Sequence, residues 1–124
     1  MPKVLVVEDD YALADNLQAY LEANGYSVSL AHDGQEAVEQ ARKHVPDVIL
    51  LDVRLPKIGG FDVCRLLRSE PRTKHIKVVM LTGLGTMGDV ETAFSAGADD
   101  YCIKPYEPER LIRKIQKVLQ GDKR

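Results

Sequence analysis

Side chains that could take part in a reaction follow four separate apolar runs of this chain. They are, in chain order, Glu8, Asp9, Asp52, Thr82 and Lys104. Carboxylates that lie together repel and raise one another's pKa unless a cation relieves the repulsion. Mg2+ suits such a group because it prefers hard oxygen ligands and binds through one or two carboxylates. A lysine ammonium can pair with a carboxylate or a phosphoryl oxygen, and a threonine hydroxyl can donate one hydrogen bond.

The reaction that suits this set of residues is phosphoryl transfer. Catalysis there is mainly positioning and charge stabilisation, and a carboxylate can itself be the nucleophile and form an aspartyl phosphate. Each residue also has an ordinary interpretation: Asp52 as a turn residue, Lys104 as a surface lysine. Asp10 is best explained as a residue that favours the start of a helix. The other residues follow four different apolar runs, and this coincidence favours one joint site that contains them all.

The elements that would position these residues alternate between short apolar runs and amphipathic stretches. Strands are predicted at 4–7, 27–31, 48–51, 76–81 and 101–103. Helices are predicted at 11–24, 35–44, 61–68, 89–96 and 107–119. The alternation predicts an α/β fold in which a parallel sheet carries helices on both faces. Since ligand sites of such sheets lie at the carboxyl ends of the strands, the reactive residues should converge at one edge.

Length and composition indicate a single globular domain. A chain of 124 residues can bury its own core; we expect residues 1–121 to form the domain and 122–124 to be a loose tail. The net charge of −2 argues against a nucleic-acid-binding surface. No apolar run approaches the ~18 residues that span a membrane, and the N-terminus does not resemble a signal peptide. These features predict a cytoplasmic protein without a membrane partner.

The cysteines and histidines form no recognisable reactive or metal-binding pattern. Cys64 and Cys102 are widely spaced and are predicted to be small buried residues. His32, His44 and His75 have no suitably spaced partner for a metal site, and we expect all three to be solvated. The chain also lacks a Walker loop and a serine or cysteine nucleophile motif.

Four stretches of the chain resemble the response-regulator receiver family. They are VVEDD at 6–10, PDVILLD at 46–52, MLTG at 80–83 and GADDYCIKP at 97–105. The match covers essentially the whole chain, in order, and the motifs are highly specific as a set. The resemblance implies a five-stranded parallel sheet of order 2-1-3-4-5 flanked by five helices, the flavodoxin-like doubly wound fold.

The resemblance also implies a phosphorylation site that depends on a metal ion. Asp52 corresponds to the phosphoacceptor. Glu8 and Asp9 correspond to the acidic pair that holds Mg2+, for which Mn2+ can substitute, and Asp52 itself is a further ligand. The backbone carbonyl of Arg54 corresponds to another metal ligand.

Three further residues match the switch of the family. Lys104 corresponds to the lysine that contacts the phosphoryl group, and its bond to Pro105 is cis in the family. Thr82 corresponds to the hydroxyl that moves to bind a phosphoryl oxygen. Tyr101 corresponds to the aromatic switch residue that turns inward when Thr82 moves.

A protein of this kind is a signalling switch rather than an enzyme with a separate substrate. The resemblance implies that a sensor histidine kinase or a phosphotransfer protein donates the phosphoryl group. The surface of the fourth helix, fifth strand and fifth helix would then change, and a downstream protein effector or an output domain would bind it. We expect a monomer, with a phosphorylation-dependent dimer as an alternative. For that dimer, Asp100 and Lys114 keep the charges of one expected pair, whereas Val90 and Arg110 do not form another.

Two other functions are compatible with parts of the pattern. A Mg2+-dependent phosphohydrolase with an aspartate nucleophile often has a second acid two residues later, but here that residue is Arg54, which cannot act as an acid. An interaction module that does not need phosphate would keep the fold, although the complete set of site residues argues against it.

Two loops depart from the family pattern. Three glycines within residues 83–88 predict a short or mobile start to the fourth helix, because glycine inside a helix costs roughly 1 kcal/mol. Arg54 and Leu84 lie two residues beyond Asp52 and Thr82. We hypothesise that their side chains shield an acyl phosphate from water and slow its hydrolysis.

Overall fold

The computed structural model describes residues 1–83, 87–105 and 107–121. Five strands are present among these residues: β1 (Lys3–Val7), β2 (Ser27–Ala31), β3 (Val48–Asp52), β4 (Lys77–Thr82) and β5 (Asp100–Ile103). Five helices alternate with them: α1 (Tyr11–Ala23), α2 (Gly34–His44), α3 (Gly60–Ser69), α4 (Met87–Ser95) and α5 (Pro108–Leu119). The predicted order of elements is therefore confirmed. The tail predicted at 122–124 lies outside the described residues.

The strands form one parallel sheet in the order β2-β1-β3-β4-β5. This is the predicted order. β3 lies at the centre, and all five of its residues are buried because helices cover both faces of the sheet. Val7 pairs with Leu51, and Thr82 pairs with Ile103. The register therefore brings the carboxyl ends of the four strands β1, β3, β4 and β5 to one edge.

The hydrophobic core consists of two clusters, one on each face of the sheet. The cluster on the α2–α3 face contains apolar residues of these two helices together with Cys64. The cluster on the α1–α5 face contains residues of those two helices together with Cys102, whereas Ala93 of α4 belongs to the α2–α3 cluster. Both cysteines are free and buried, as the sequence predicted.

Side-chain caps fix the starts of α1 and α2. Asp10 is the N-cap of α1, and its carboxylate accepts a hydrogen bond from the backbone N–H of Leu13 at 3.1 Å. Its interpretation as a helix-starting residue is thus confirmed. Asp33 caps α2 in the same way and accepts from the N–H of Glu36 at 2.8 Å.

The fourth helix differs from its predicted bounds. α4 begins at Met87, two residues before the predicted start at Asp89, and contains nine residues. Gly88 is therefore in the first turn, where backbone N–H groups lack intrahelical partners and glycine costs less. Residues 84–86 lie outside the described part, so the predicted mobility of this loop and the shielding role of Leu84 stay predictions.

Among the described residues, no helix combines the length and apolar character needed to cross a membrane.

Candidate functional site

Three carboxylates meet at the carboxyl edge of the sheet. Glu8 and Asp9 directly follow β1, and Asp52 is the last residue of β3, the neighbouring strand. One carboxylate oxygen from each residue lies within 4.8 Å of the other two. Glu8 and Asp52 are only 1% and 5% exposed, whereas Asp9 is exposed. The sequence prediction that these residues converge is therefore correct.

The Lys104 ammonium bridges the two buried carboxylates, those of Glu8 and Asp52. Its Nζ lies 2.9 Å from Glu8 Oε1 and 2.9 Å from Asp52 Oδ2. The backbone of Lys104 is anchored beside β4, since its N–H donates to the carbonyl of Thr82 at 2.6 Å. The peptide bond between Lys104 and Pro105 is cis, as the family resemblance implied.

The pKa values of the buried groups reflect both burial and the charges packed around them. Burial raises the pKa of Glu8; the hydrogen bond from Lys104 opposes this rise, and repulsion from Asp52 adds to it. Burial alone would lower the pKa of Lys104, but its hydrogen bonds to Asp52 and Glu8 outweigh that effect and raise it. Three ionised carboxylates and one ammonium would leave two negative charges here, which a divalent cation could balance.

The loop after β3 holds the Asp52 carboxylate in place. The N–H of Arg54 donates to Asp52 Oδ1 at 3.1 Å, while Oδ2 faces Lys104. α3 begins close behind, since a Cβ placed on Gly60 would lie 2.2 Å from the carbonyl oxygen of Asp52. The Arg54 side chain is exposed, and the role of its carbonyl as a metal ligand stays a prediction.

Thr82 is the last residue of β4 and is buried. It is paired with Ile103, the residue immediately before Lys104. The position of Thr82 between β3 and β5 places it at the same edge as the carboxylates. The strand ends of the sequence alone predict this placement.

Comparisons with known proteins identify the family. The family described as "Response regulator receiver domain" matches residues 4–116. The chain belongs to this family. Receiver domains of this type are signalling switches of two-component systems.

Curated relatives of this receiver domain are longer transcriptional regulators. It is 42% identical over 120 residues to the DNA-binding dual master transcriptional regulator RpaA of Synechocystis, covering 97% of this chain and 50% of that protein. It is 36% identical over 123 residues to the phosphate regulon transcriptional regulatory protein PhoB of Rhizobium meliloti, covering 99% and 54%. The chain thus spans about half the length of these relatives.

Solved structures of receiver proteins superpose closely on this receiver domain. A putative response regulator from Chloroflexus aurantiacus has a TM-score of 0.91 and 38% identity, with coverage of 96% of this chain and 98% of that one. The chemotaxis response regulator CheY4 of Vibrio cholerae has a TM-score of 0.90 and 33% identity, covering 95% and 98%. These matches agree with the flavodoxin-like doubly wound fold.

Tyr101 is surrounded by contacts that the sequence analysis did not foresee. Its half-buried ring meets the ring of Phe94 edge to face, with centroids 5.9 Å apart. The Nζ of Lys114 lies 4.8 Å from the ring centroid and 3.2 Å from Asp100 Oδ1. The charges of Asp100 and Lys114, considered above for a dimer contact, are therefore paired within this chain.

His32 is half-buried and makes two specific contacts, which corrects the prediction that it is simply solvated. Its Nδ1 lies 3.0 Å from the backbone carbonyl of Glu8, and its ring stacks on Tyr11 with centroids 3.8 Å apart and planes 9° apart. His44 and His75 are exposed, as predicted. The signal that could have revealed His32 is its position directly after β2, beside the end of β1.

Proposed function

We propose that this receiver domain accepts a phosphoryl group on Asp52 from the phosphohistidine of a sensor histidine kinase or a phosphotransfer protein. A carboxylate oxygen of Asp52 forms the bond to phosphorus, the P–N bond of the donor imidazole breaks, and the leaving nitrogen is protonated. The observation that carries the proposal is the position of the Lys104 ammonium, 2.9 Å from both Asp52 and Glu8. Lys104 is thus placed to pair with phosphoryl oxygens bound next to Asp52.

The donor set fits Mg2+, with Mn2+ as a substitute. Glu8, Asp9 and Asp52 offer hard oxygen ligands within 4.8 Å of one another. The ligands would be these three residues and the backbone carbonyl of Arg54. The ion, when bound, neutralises charge that develops on the phosphoryl oxygens. Lys104 contributes a second positive charge and keeps the Asp52 carboxylate oriented.

The response to phosphorylation would start at Thr82. An aspartyl phosphate adds charge and acceptor oxygens beside this residue, and the Thr82 hydroxyl would turn to donate to one of them. Tyr101 would then move inward and alter the surface formed by α4, β5 and α5. A downstream effector or an output domain, or a second copy in a phosphorylation-dependent dimer, would bind that surface. We place this switch in the cytoplasm, and it catalyses only its own phosphorylation and dephosphorylation.

Intact-mass measurement tests the proposal directly. Incubation with a small phosphodonor and Mg2+ should add the mass of one phosphoryl group, and EDTA should prevent the addition. Asp52→Asn should show no addition, whereas Asp15→Asn, a change of an exposed aspartate on α1, should behave like wild type. A folded wild type that gains no mass, while a known receiver domain does, would contradict the proposal and favour a phosphate-independent interaction module.

A further inference from the structure

We propose that His32 and Tyr11 form an aromatic clamp that positions the acidic loop, residues 8–11, for divalent-cation binding. The inference rests on the proposed function, because the cation belongs to that phosphorylation site. The clamp residues are positioning residues: they contact the loop, and the loop carries the carboxylates.

The first half of the clamp is a hydrogen bond at the end of the sheet. Val7 and Ala31 are the last paired residues of β1 and β2. Beyond them, the N–H of Glu8 donates to the carbonyl of Ala31 at 3.0 Å, and His32 Nδ1 lies 3.0 Å from the Glu8 carbonyl oxygen. A carbonyl oxygen only accepts, so the ring donates from Nδ1. The side chain of His32 thereby extends the pairing of β1 and β2 by one bond.

His32 has a rigid base from which to hold the loop. Its own N–H donates to the Glu36 carboxylate at 2.6 Å, in the first turn of α2. The N–H of Glu36 in turn donates to Asp33, the N-cap of the same helix, at 2.8 Å. These two bonds resemble a capping box in which the N–H of His32 takes the place of the N-cap N–H, and they fix the backbone from which the imidazole projects.

The second half of the clamp is the stack with Tyr11. Tyr11 is the first residue of α1 and is 65% exposed, yet its ring lies nearly parallel to that of His32. The loop is therefore held at both ends, at the Glu8 carbonyl and at the Tyr11 ring. Asp9 lies between these two anchors with an exposed side chain. Its carboxylate is not fixed by core packing, so its position relative to Glu8 follows from the loop backbone.

This arrangement predicts a specific effect on cation affinity. Groups that orient metal ligands typically change affinity 10- to 100-fold when they are removed. Here the oriented group is a loop, so we expect about a tenfold weaker Mg2+ affinity when the hydrogen bond is lost. Chemistry at saturating Mg2+ should be little changed, because the clamp does not contact the phosphoacceptor.

Calorimetric Mg2+ titration of the full chain with paired variants separates the two halves. His32→Phe keeps an aromatic ring for the stack and removes the donor. His32→Asn keeps a donor at the position of Nδ1 and removes the ring. Tyr11→Leu removes the stack and keeps the donor. His75→Phe, at an exposed histidine, is the control, and circular dichroism with thermal unfolding establishes that each variant is folded.

The expected result is about tenfold weaker Mg2+ binding for His32→Phe. His32→Asn and Tyr11→Leu both keep the donor and lack the stack, so they should show similar and smaller losses. The extent of Asp52 phosphorylation at saturating Mg2+ should match wild type in all of them. Wild-type affinity in a folded His32→Phe, or equal losses in His32→Phe and His32→Asn, would overturn the clamp. A wild type that does not bind Mg2+ would overturn it too, whereas Mg2+ binding without phosphorylation would count against the proposed function alone.

Discussion

Glu8 keeps a carboxylate in a buried position next to two other acids. Burial and the charge of Asp52 raise its pKa, and the hydrogen bond from Lys104 offsets only part of this rise. A residue proposed to bind a cation is thus unfavourable for folding without one. Such a conflict between function and stability is common at binding sites.

Glu8→Gln should therefore stabilise the protein in the absence of divalent cations. Glutamine keeps an oxygen for Lys104 and removes the charge. Since the folded-state pKa of Glu8 is raised, its ionised form costs folding free energy at neutral pH. That cost fades as the pH falls through the raised pKa, and it vanishes below the ordinary value of 4.5, where both states are protonated. We expect a gain of roughly 1 kcal/mol at neutral pH, which shrinks on acidification.

Urea unfolding in EDTA at a series of pH values measures this effect. Glu22→Gln, at an exposed carboxylate on α1, is the matched control and should change little. A gain for Glu8→Gln that does not depend on pH would show that charge is not its cause.

At the scale of elements, the start of α3 is fitted against the end of β3. A Cβ on Gly60 would lie 2.2 Å from the Asp52 carbonyl oxygen and 2.8 Å from Val53 Cα. A Cβ on the preceding residue, Gly59, would meet nothing closer than 3.9 Å. Among the residue types, only glycine at position 60 lets the helix approach the strand that carries the proposed phosphoacceptor.

Gly60→Ala should therefore disturb both stability and the site. The contacts are with backbone atoms, so the loop between β3 and α3 must shift, at a cost of about 1–3 kcal/mol. Because that loop holds Asp52 through the N–H of Arg54, phosphorylation should slow as well. Gly59→Ala changes only an N-cap position and should cost below about 1 kcal/mol. Similar unfolding curves and phosphorylation rates for the two variants would contradict this explanation.

The sequence could predict the elements and the main site residues for a common reason. A parallel sheet aligns the carboxyl ends of its strands, so Glu8, Asp52 and Lys104 follow from the strand pattern without any knowledge of packing. The role of His32 depends on which strand lies beside β1 and on the direction of one ring. The sequence pattern did not predict the early start of α4, because the helix-breaking effect of glycine is smaller in the first turn, where Gly88 lies, than inside a helix.

At the scale of the whole molecule, the two ends of the strands differ in charge balance: carboxylates are in excess at the carboxyl edge, whereas a buried carboxylate at the other end is paired with a cation. The carboxyl edge accumulates negative charge around Glu8. Near the start of β4, toward the other edge, the guanidinium of Arg68 is paired with the buried Asp99 at 2.9 Å. Arg68 also donates to the backbone carbonyls of Lys74, Ile76 and Gly97. One side chain of α3 thus links the segment before β4 to the turn before β5.

Removal of this arginine should destabilise the whole domain. Arg68→Met leaves the buried Asp99 carboxylate without its cation, a change that typically costs 3–5 kcal/mol. Adding Asp99→Asn should recover part of that loss, since asparagine keeps an acceptor for the Val78 N–H and removes the charge. Arg65→Met, at an exposed ion pair with Asp62, should cost less than about 1 kcal/mol.

Urea unfolding of the single and double variants measures these differences. A double variant less stable than Arg68→Met would show that the unpaired charge is not the source of the loss.

The two cysteines make the unfolding of each layer chemically observable. Cys64 lies in the layer between the sheet and α2–α3, and Cys102 in the layer between the sheet and α1–α5. Burial raises the pKa of the Cys64 thiol to about 11 and also raises that of Cys102. Since only the thiolate reacts readily, an alkylating reagent at neutral pH should label each position only when its layer opens. Peptide mapping of the labelled chain would then give two opening rates, and their ratio would show whether both layers open in one cooperative event.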